Sequence, residues 1–291
     1  MVNAPHVVVT SESDQQELID AAREMALRLQ TSFIPNARAA SLSKDDLILA
    51  YRDDGLELRD IECKPGRGLR VDFTSLNPSA AARRGHLSRS QPLAKAIGKS
   101  TRTVLDATAG LGHDAALLAC MGYRVLAVER SPIAFALLQD GLRRARAAPE
   151  LQEFLDRRLA IVNADAGSLI EQMASHAMFD ELGRESSWAE GNLEAWTFPP
   201  EAAYIDPMFP PKRKSTALAK KSIRLVRKAV GDDPDAADLV AIARRHIKRV
   251  IVKRPTYASP LADDPTMSFG GKLVRYDVYV AGPHQTQQSR A

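Results

Sequence analysis

A chain of 291 residues, 45% hydrophobic and 26% charged, has enough apolar side chain to bury one large core or a core with a small appendage. Two cysteines, Cys63 and Cys120, stand far apart without the paired Cys/His spacing of a zinc site, which excludes a disulfide-stapled scaffold and predicts no metal. No window approaches the roughly 18 uninterrupted apolar residues of a membrane span, and residues 1–10 lack the basic stretch and apolar run of an export signal, so a cytoplasmic protein without membrane contact is expected.

Residues 14–29 place Leu18, Ala22, Met25 and Leu29 at helical spacing, with Ser11 or Ser13 as the N-cap. Segments 47–51 and 56–59 flank Asp53-Asp54-Gly55, a hairpin signal. These elements predict a small N-terminal α/β appendage. Together with the start of a basic connector, punctuated by Gly66, Gly68, Asn77, Pro78 and Gly85 and running to about Lys99, it makes a first region over residues 1–85.

The second region, 86–291, alternates strand and helix. Strands are predicted at 103–106, 124–129, 159–163, 201–206 and 249–253, with a late strand at 275–280 closing the sheet. Helices are predicted at 114–121, 132–146 (Ser131 at N-cap, Pro132 at N1) and 236–246. The alternation implies a mostly parallel sheet with helices on both faces. Residues 179–200, acidic and rich in turn formers, read as an inserted loop.

Ligands of such sheets bind at the carboxyl ends of the strands. The first strand runs into Asp106-Ala107-Thr108-Ala109-Gly110-Leu111-Gly112-His113-Asp114, where the two glycines permit a tight turn and close approach of a ligand. Gly110, Gly112 and Ala115 also fit the dinucleotide pattern G-x-G-x-x-A, and Glu129 ends the second strand where a ribose-binding acid belongs. Asp106 separates the two readings. A carboxylate there repels a pyrophosphate but attracts the ammonium of S-adenosylmethionine.

Asp206-Pro207-Met208-Phe209-Pro210 ends the fourth strand. Two prolines stiffen the segment, Asp206 offers acceptors and Phe209 an aromatic face. Amino methylation needs such a set. The lone pair of an exocyclic amino group is delocalised into its base, and a carboxylate plus a backbone carbonyl that accept its N–H groups favour the pyramidal nitrogen that attacks. Phe209 stacks on the extruded base in this reading.

The charge is uneven. Residues 64–102, 211–228 and 244–254 hold 9, 8 and 6 of the 40 basic residues against one acid, Asp72, in a chain of net charge +4. Segregation of this kind points to a face that lies on phosphates, with Arg83, Arg84, Lys212, Arg213, Lys214, Lys220, Lys221, Lys253 and Arg254 as RNA-binding candidates. Lys253 and Arg254, ending the fifth strand, are expected at the same rim as Asp206.

Val71-Asp72-Phe73, the 106–114 loop, Val128-Glu129-Arg130, Asp206-Pro207-Met208-Phe209-Pro210, Lys220-Lys221 and Val252-Lys253-Arg254-Pro255 together resemble the bacterial 16S ribosomal RNA (guanine-N2) methyltransferase family RsmJ over roughly residues 68–280. The resemblance implies a class I S-adenosylmethionine-dependent methyltransferase, Rossmann-like, acting on a guanosine N2 near the 3′ end of 16S rRNA, with that RNA or the small ribosomal subunit as partner. It implies cofactor contacts at His113 and Asp114, Glu129 and Arg130, Asp165 and Ala166, and Asp206. This chain departs from the family in having His113 where Arg is common and Asp165-Ala166 where Ser-Ser is common. A methyltransferase for a DNA base or protein amide, a nucleotide-dependent oxidoreductase and a non-catalytic RNA-binding module are the alternatives.

Overall fold

The computed structural model describes residues 6–36, 42–73, 88, 90–175, 189–191, 199–208, 221–271 and 273–281. In chain order the elements are β1 (Val7–Ser11), α1 (Gln16–Arg28), β2 (Leu47–Arg52), β3 (Gly55–Asp60), α2 (Pro92–Ile97), β4 (Thr103–Asp106), α3 (His113–Cys120), β5 (Arg124–Glu129), α4 (Pro132–Arg146), α5 (Pro149–Arg158), β6 (Leu159–Asn163), α6 (Ala166–Ala174), β7 (Ala189–Glu190), β8 (Ala202–Ile205), α7 (Lys221–Val230), α8 (Ala236–His246), β9 (Arg249–Pro255), β10 (Met267–Gly270) and β11 (Val274–Val280). The chain forms two compact units. One groups Met1–Asp72, Ser131–Arg144 and Met208–Asp232; the other groups Phe73–Arg130, Ala145–Pro207 and Asp233–Ala291.

In the first unit β1 and β2 pair in parallel across α1, and β2 turns back antiparallel into β3, with Arg52 opposite Gly55. The strand β1 was not predicted, because a five-residue run gives too little periodicity to separate it from a loop. Two charges are buried in β3. Glu57 accepts from the amides of Gly66 (2.8 Å) and Gly68 (3.2 Å), and Arg59 pairs with Glu12, so each buried charge has partners.

The second unit is built on an eight-stranded sheet in the order β10-β11-β9-β8-β4-β5-β6-β7. β6, β5, β4, β8 and β9 run parallel, whereas β11, β10 and β7 join antiparallel. Central runs such as Val125 to Val128 and Ala202 to Ile205 are apolar without alternation because both faces are covered. Leu105, Leu126, Val128, Val162, Ala203, Ile205, Val250 and Val252 form one apolar layer with Leu169, Ile170 and Met173 of α6 and Val240 and Ala243 of α8. The alternate side chains turn to the opposite face; α2 packs against β9, β10 and β11, and α3 and α5 against β5 and β6.

β4, β5, β6, α4 and α8 have the predicted bounds, and the other predicted elements lie within two or three residues of theirs. Two expectations need correction. The connector read as loop holds α2, a helix with Pro92 at its start and Leu93, Ala94, Ala96 and Ile97 buried. The 179–200 segment contributes β7, which pairs with Ile161 and Val162 at the edge of β6. Among the described residues no helix is long and apolar enough to cross a membrane.

The chain passes from central β4 outward through β5 and β6, then returns to the other side of β4 as β8. This reversal puts the switch point of the sheet at the carboxyl ends of β4 and β8, which is where a doubly wound sheet binds its ligand.

Candidate active site

Asp106 is the last residue of β4 and is 1% exposed. Its Oδ1 accepts from the amide of Thr108 at 3.2 Å. Burial, then the neighbouring charge of Asp114, pushes its carboxyl well above the usual range, and Asp206 and Glu129 add to the push. The loop beyond it hangs on the adjacent strands: Ala107 donates to the Tyr204 carbonyl and Ala109 to the Val128 carbonyl, each at 2.9 Å. Gly110 (φ +55°) and Gly112 (φ +75°) take left-handed backbone, and the Gly110 amide donates to Oε2 of Glu129 at 2.7 Å. Glu129, at the end of β5, is 6% exposed.

These residues fit S-adenosylmethionine by the chemistry of the donor set. Asp106 and first-turn Asp114 are carboxylates of the kind that suits a ligand with ammonium and sulfonium groups, and Glu129 has the acceptor oxygens that ribose hydroxyls need. A Cβ built on Gly110 meets nothing nearer than the Thr108 carbonyl at 4.0 Å, so the loop leaves open space. Replacing Glu129 by Ala removes both the acceptor and the brace on Gly110. S-adenosylhomocysteine is expected to bind this variant about 1–3 kcal/mol more weakly by calorimetry. Parental affinity in a folded variant would reject the role.

Asp206 follows β8 directly. Its amide donates to Oγ1 of Thr108 at 2.7 Å, so one hydroxyl in the β4 loop fixes the start of the β8 loop. Its carboxylate Oδ2 takes Lys253 Nζ at 2.8 Å, and the same Nζ lies 2.8 Å from Oδ2 of Asp114. Tyr204, fully buried, donates its hydroxyl to Asp114 Oδ2 at 2.5 Å and packs beside the Tyr276 ring, with centroids 6.5 Å apart. Burial raises the Asp206 carboxyl, Lys253 pulls it back, and the net direction is up. Pro207 is buried behind it. Phe209 lies outside the described residues.

The remaining candidates separate. His113 begins α3 with its ring tilted against Phe73, centroids 5.8 Å apart. Arg130 pairs with Asp233 and, at 2.7 Å, with Asp235. Asp165 is the N-cap of α6, its Oδ1 accepting from the amide and hydroxyl of Ser168 at 2.8 Å each, and Ala166 is buried in the apolar layer. Gly112 is the N-cap residue of α3.

In 244–254, where a phosphate face is expected, basic side chains have partners within the protein. Lys253 reaches the rim of Asp206 but is spent on two carboxylates. Arg254 alternates to the other side of β9, is 7% exposed, and donates twice to the Ser259 carbonyl, at 2.9 and 2.6 Å. Arg249 donates to the Ala96 carbonyl, Arg245 pairs with Glu171, and Arg244 lies over the Tyr279 ring. Charge counts in a sequence do not reveal such internal partners. Arg83, Arg84, Lys212, Arg213, Lys214 and Lys220 lie outside the described residues, and Lys221 is placed by its backbone alone, as the first residue of α7. Sequence reasoning missed Tyr204, Thr108 and the Lys253 bridge, since pairing across 47 to 139 residues has no local signal.

Residues 36–281 match the family described as "Putative SAM-dependent methyltransferase". Ribosomal RNA small subunit methyltransferase J of Vibrio campbellii is 35% identical over 94% of this chain and 96% of its own length. The protein of the same name from Pseudoalteromonas atlantica is 38% identical over 94% and 98%. The crystal structure of a SAM-dependent methyltransferase from Neisseria gonorrhoeae superposes with a TM-score of 0.63 at 28% identity, covering 94% of this chain and 95% of that one. These matches and the strand order remove the oxidoreductase alternative and make S-adenosylmethionine the methyl donor. The chain belongs to the ribosomal RNA small subunit methyltransferase J family of SAM-dependent methyltransferases.

Proposed function

We propose that this protein transfers a methyl group from S-adenosylmethionine to the exocyclic N2 of a guanosine near the 3′ end of 16S rRNA. The observation that carries the reading is Asp206 at the switch point of the sheet, its backbone amide pinned by Thr108 of the loop that follows β4, in a chain resembling rRNA methyltransferases over 94% of its length.

S-adenosylmethionine supplies, when bound, a methyl group on a sulfonium sulfur that leaves as a neutral thioether. Asp114 would offer negative charge and Asp106 an acceptor to its methionine end, and Glu129 would hold its ribose. Asp206 accepts an N–H of the guanine amino group and so turns the nitrogen lone pair toward the methyl carbon. With the donor bound, the nitrogen would take the methyl carbon as the carbon–sulfur bond breaks, and Asp206 would accept the surplus proton and pass it to water. This reading assigns stacking on the guanine to Phe209 of the same motif, which lies outside the described residues. Orientation and charge account for catalysis in this scheme.

The test uses small subunits and naked 16S rRNA from a strain lacking this gene, with tritiated cofactor and nucleoside digestion of the product. Label in N2-methylguanosine at one site near the 3′ end supports the proposal. Label in another nucleoside, transfer only to DNA or protein, or no transfer overturns it.

A further inference from the structure

Three carboxylates, from β4, α3 and the start of the β8 loop, converge at the carboxyl end of the sheet: Asp106, Asp114 and Asp206. Like charges so placed repel one another, and burial raises the price of each. A cation enters from β9, the next strand over. Lys253 lies 2.8 Å from both Asp114 and Asp206, with its side chain 23% exposed. Its register partner on β11 is Tyr276, and that ring with Tyr204 walls the cluster.

An exposed surface ion pair would be worth little. This one differs in position and in valence, for one ammonium joins the cofactor loop to the residue that handles the acceptor amine. A phosphate-binding role fits it poorly, because the RNA would have to compete with two carboxylates already within hydrogen-bond distance.

We propose that Lys253 is a positioning residue for methyl transfer: it holds Oδ2 of Asp206 and Oδ2 of Asp114 at once, so that Oδ1 of Asp206 is the oxygen presented to the acceptor amine. The inference rests on the amino-methyltransferase reading above. Its electrostatic consequence follows from the groups that face Asp206. Burial raises its carboxyl, Lys253 lowers it, and Asp114 and Asp233 raise it. Tyr204 and Tyr276 titrate above their ordinary range and stay neutral. Without Lys253, Asp206 takes a proton at higher pH, and a protonated carboxyl loses acceptor strength toward the amine.

The experiment compares the parent with Lys253→Met, which keeps the aliphatic stem, and Lys253→Arg, which keeps the charge. In the protein without cofactor, carbon-13 NMR of the Asp206 carboxyl should titrate about 1–3 pH units higher in Lys253→Met and near the parental position in Lys253→Arg. The acid limb of the single-turnover methylation rate should move by the same amount, with the rate recovering at high pH. Should Lys253→Met not fold, Lys253→Gln carries the same comparison. An unmoved carboxyl titration, or a moved titration with an unmoved acid limb, overturns the proposal. So does an unchanged rate with a shallower salt dependence of RNA binding, which identifies a phosphate contact. If the parent methylates no rRNA the functional reading fails, and the NMR titration still decides whether Lys253 sets the state of Asp206.

Discussion

Asp206→Asn should lower the single-turnover rate of methyl transfer by about 10²–10³-fold, the scale for losing one preorganised electrostatic contact. Asparagine keeps the size and one acceptor but turns the other oxygen into an N–H₂ donor. That donor opposes either the Lys253 ammonium, at the position Oδ2 now holds, or the N–H of the incoming amine. The backbone bond from residue 206 to Thr108 is untouched, so the loop stays in place. Rates are read at saturating cofactor and RNA, and S-adenosylhomocysteine affinity is measured separately because Asp206 stands beside the cofactor loop. Transfer at the parental rate would mean that the chemistry lies elsewhere.

Leu105→Ala should destabilise the protein by about 2–5 kcal/mol in chemical denaturation. Leu105 is fully buried in β4, the strand with β5 on one side and β8 on the other, and it packs in the layer that α6 and α8 cover. Removing its branched end leaves a cavity that a strand paired on both sides cannot collapse to fill. A loss below about 1 kcal/mol would show that this layer relaxes around the gap.

Much of the parallel sheet was readable because each strand is a short apolar run and each is followed by punctuation: Asp106 before the glycine loop, Glu129 before Ser131-Pro132, Asp206 before Pro207. The helices α4 and α8 were readable from apolar spacing and, for α4, a proline at N1. Elements that rely on partners were not. β7 is two residues long and exists as a strand only by pairing with β6, and β10 is a four-residue edge strand, largely exposed, paired only with β11. The site divides in the same way. Asp106, Glu129 and Asp206 announce themselves by standing at strand ends, and Gly110 by the glycine loop that follows β4. Tyr204 does not, because an aromatic inside an apolar strand reads as core, and its hydroxyl bond to Asp114 appears only when α3 is laid across the sheet. Lys253 and Arg254 are adjacent and look equivalent in sequence, yet strand alternation sends one to the carboxylates and the other to a loop carbonyl.

The bond between Lys253 and Asp114 spans 139 residues, and that between Asp206 and Thr108 spans 98. During synthesis the segment carrying Asp106, Gly110 and Glu129 therefore leaves the ribosome long before its counterparts. A growing chain up to β7 holds these residues without Asp206 and Lys253, and β4 lacks the strand β8 that later pairs along its edge. Local contacts fold fast, and pairings this distant fold late. Asp206 and Lys253 are thus among the last residues of the proposed site to find their partners, and a nascent chain still short of β8 lacks both.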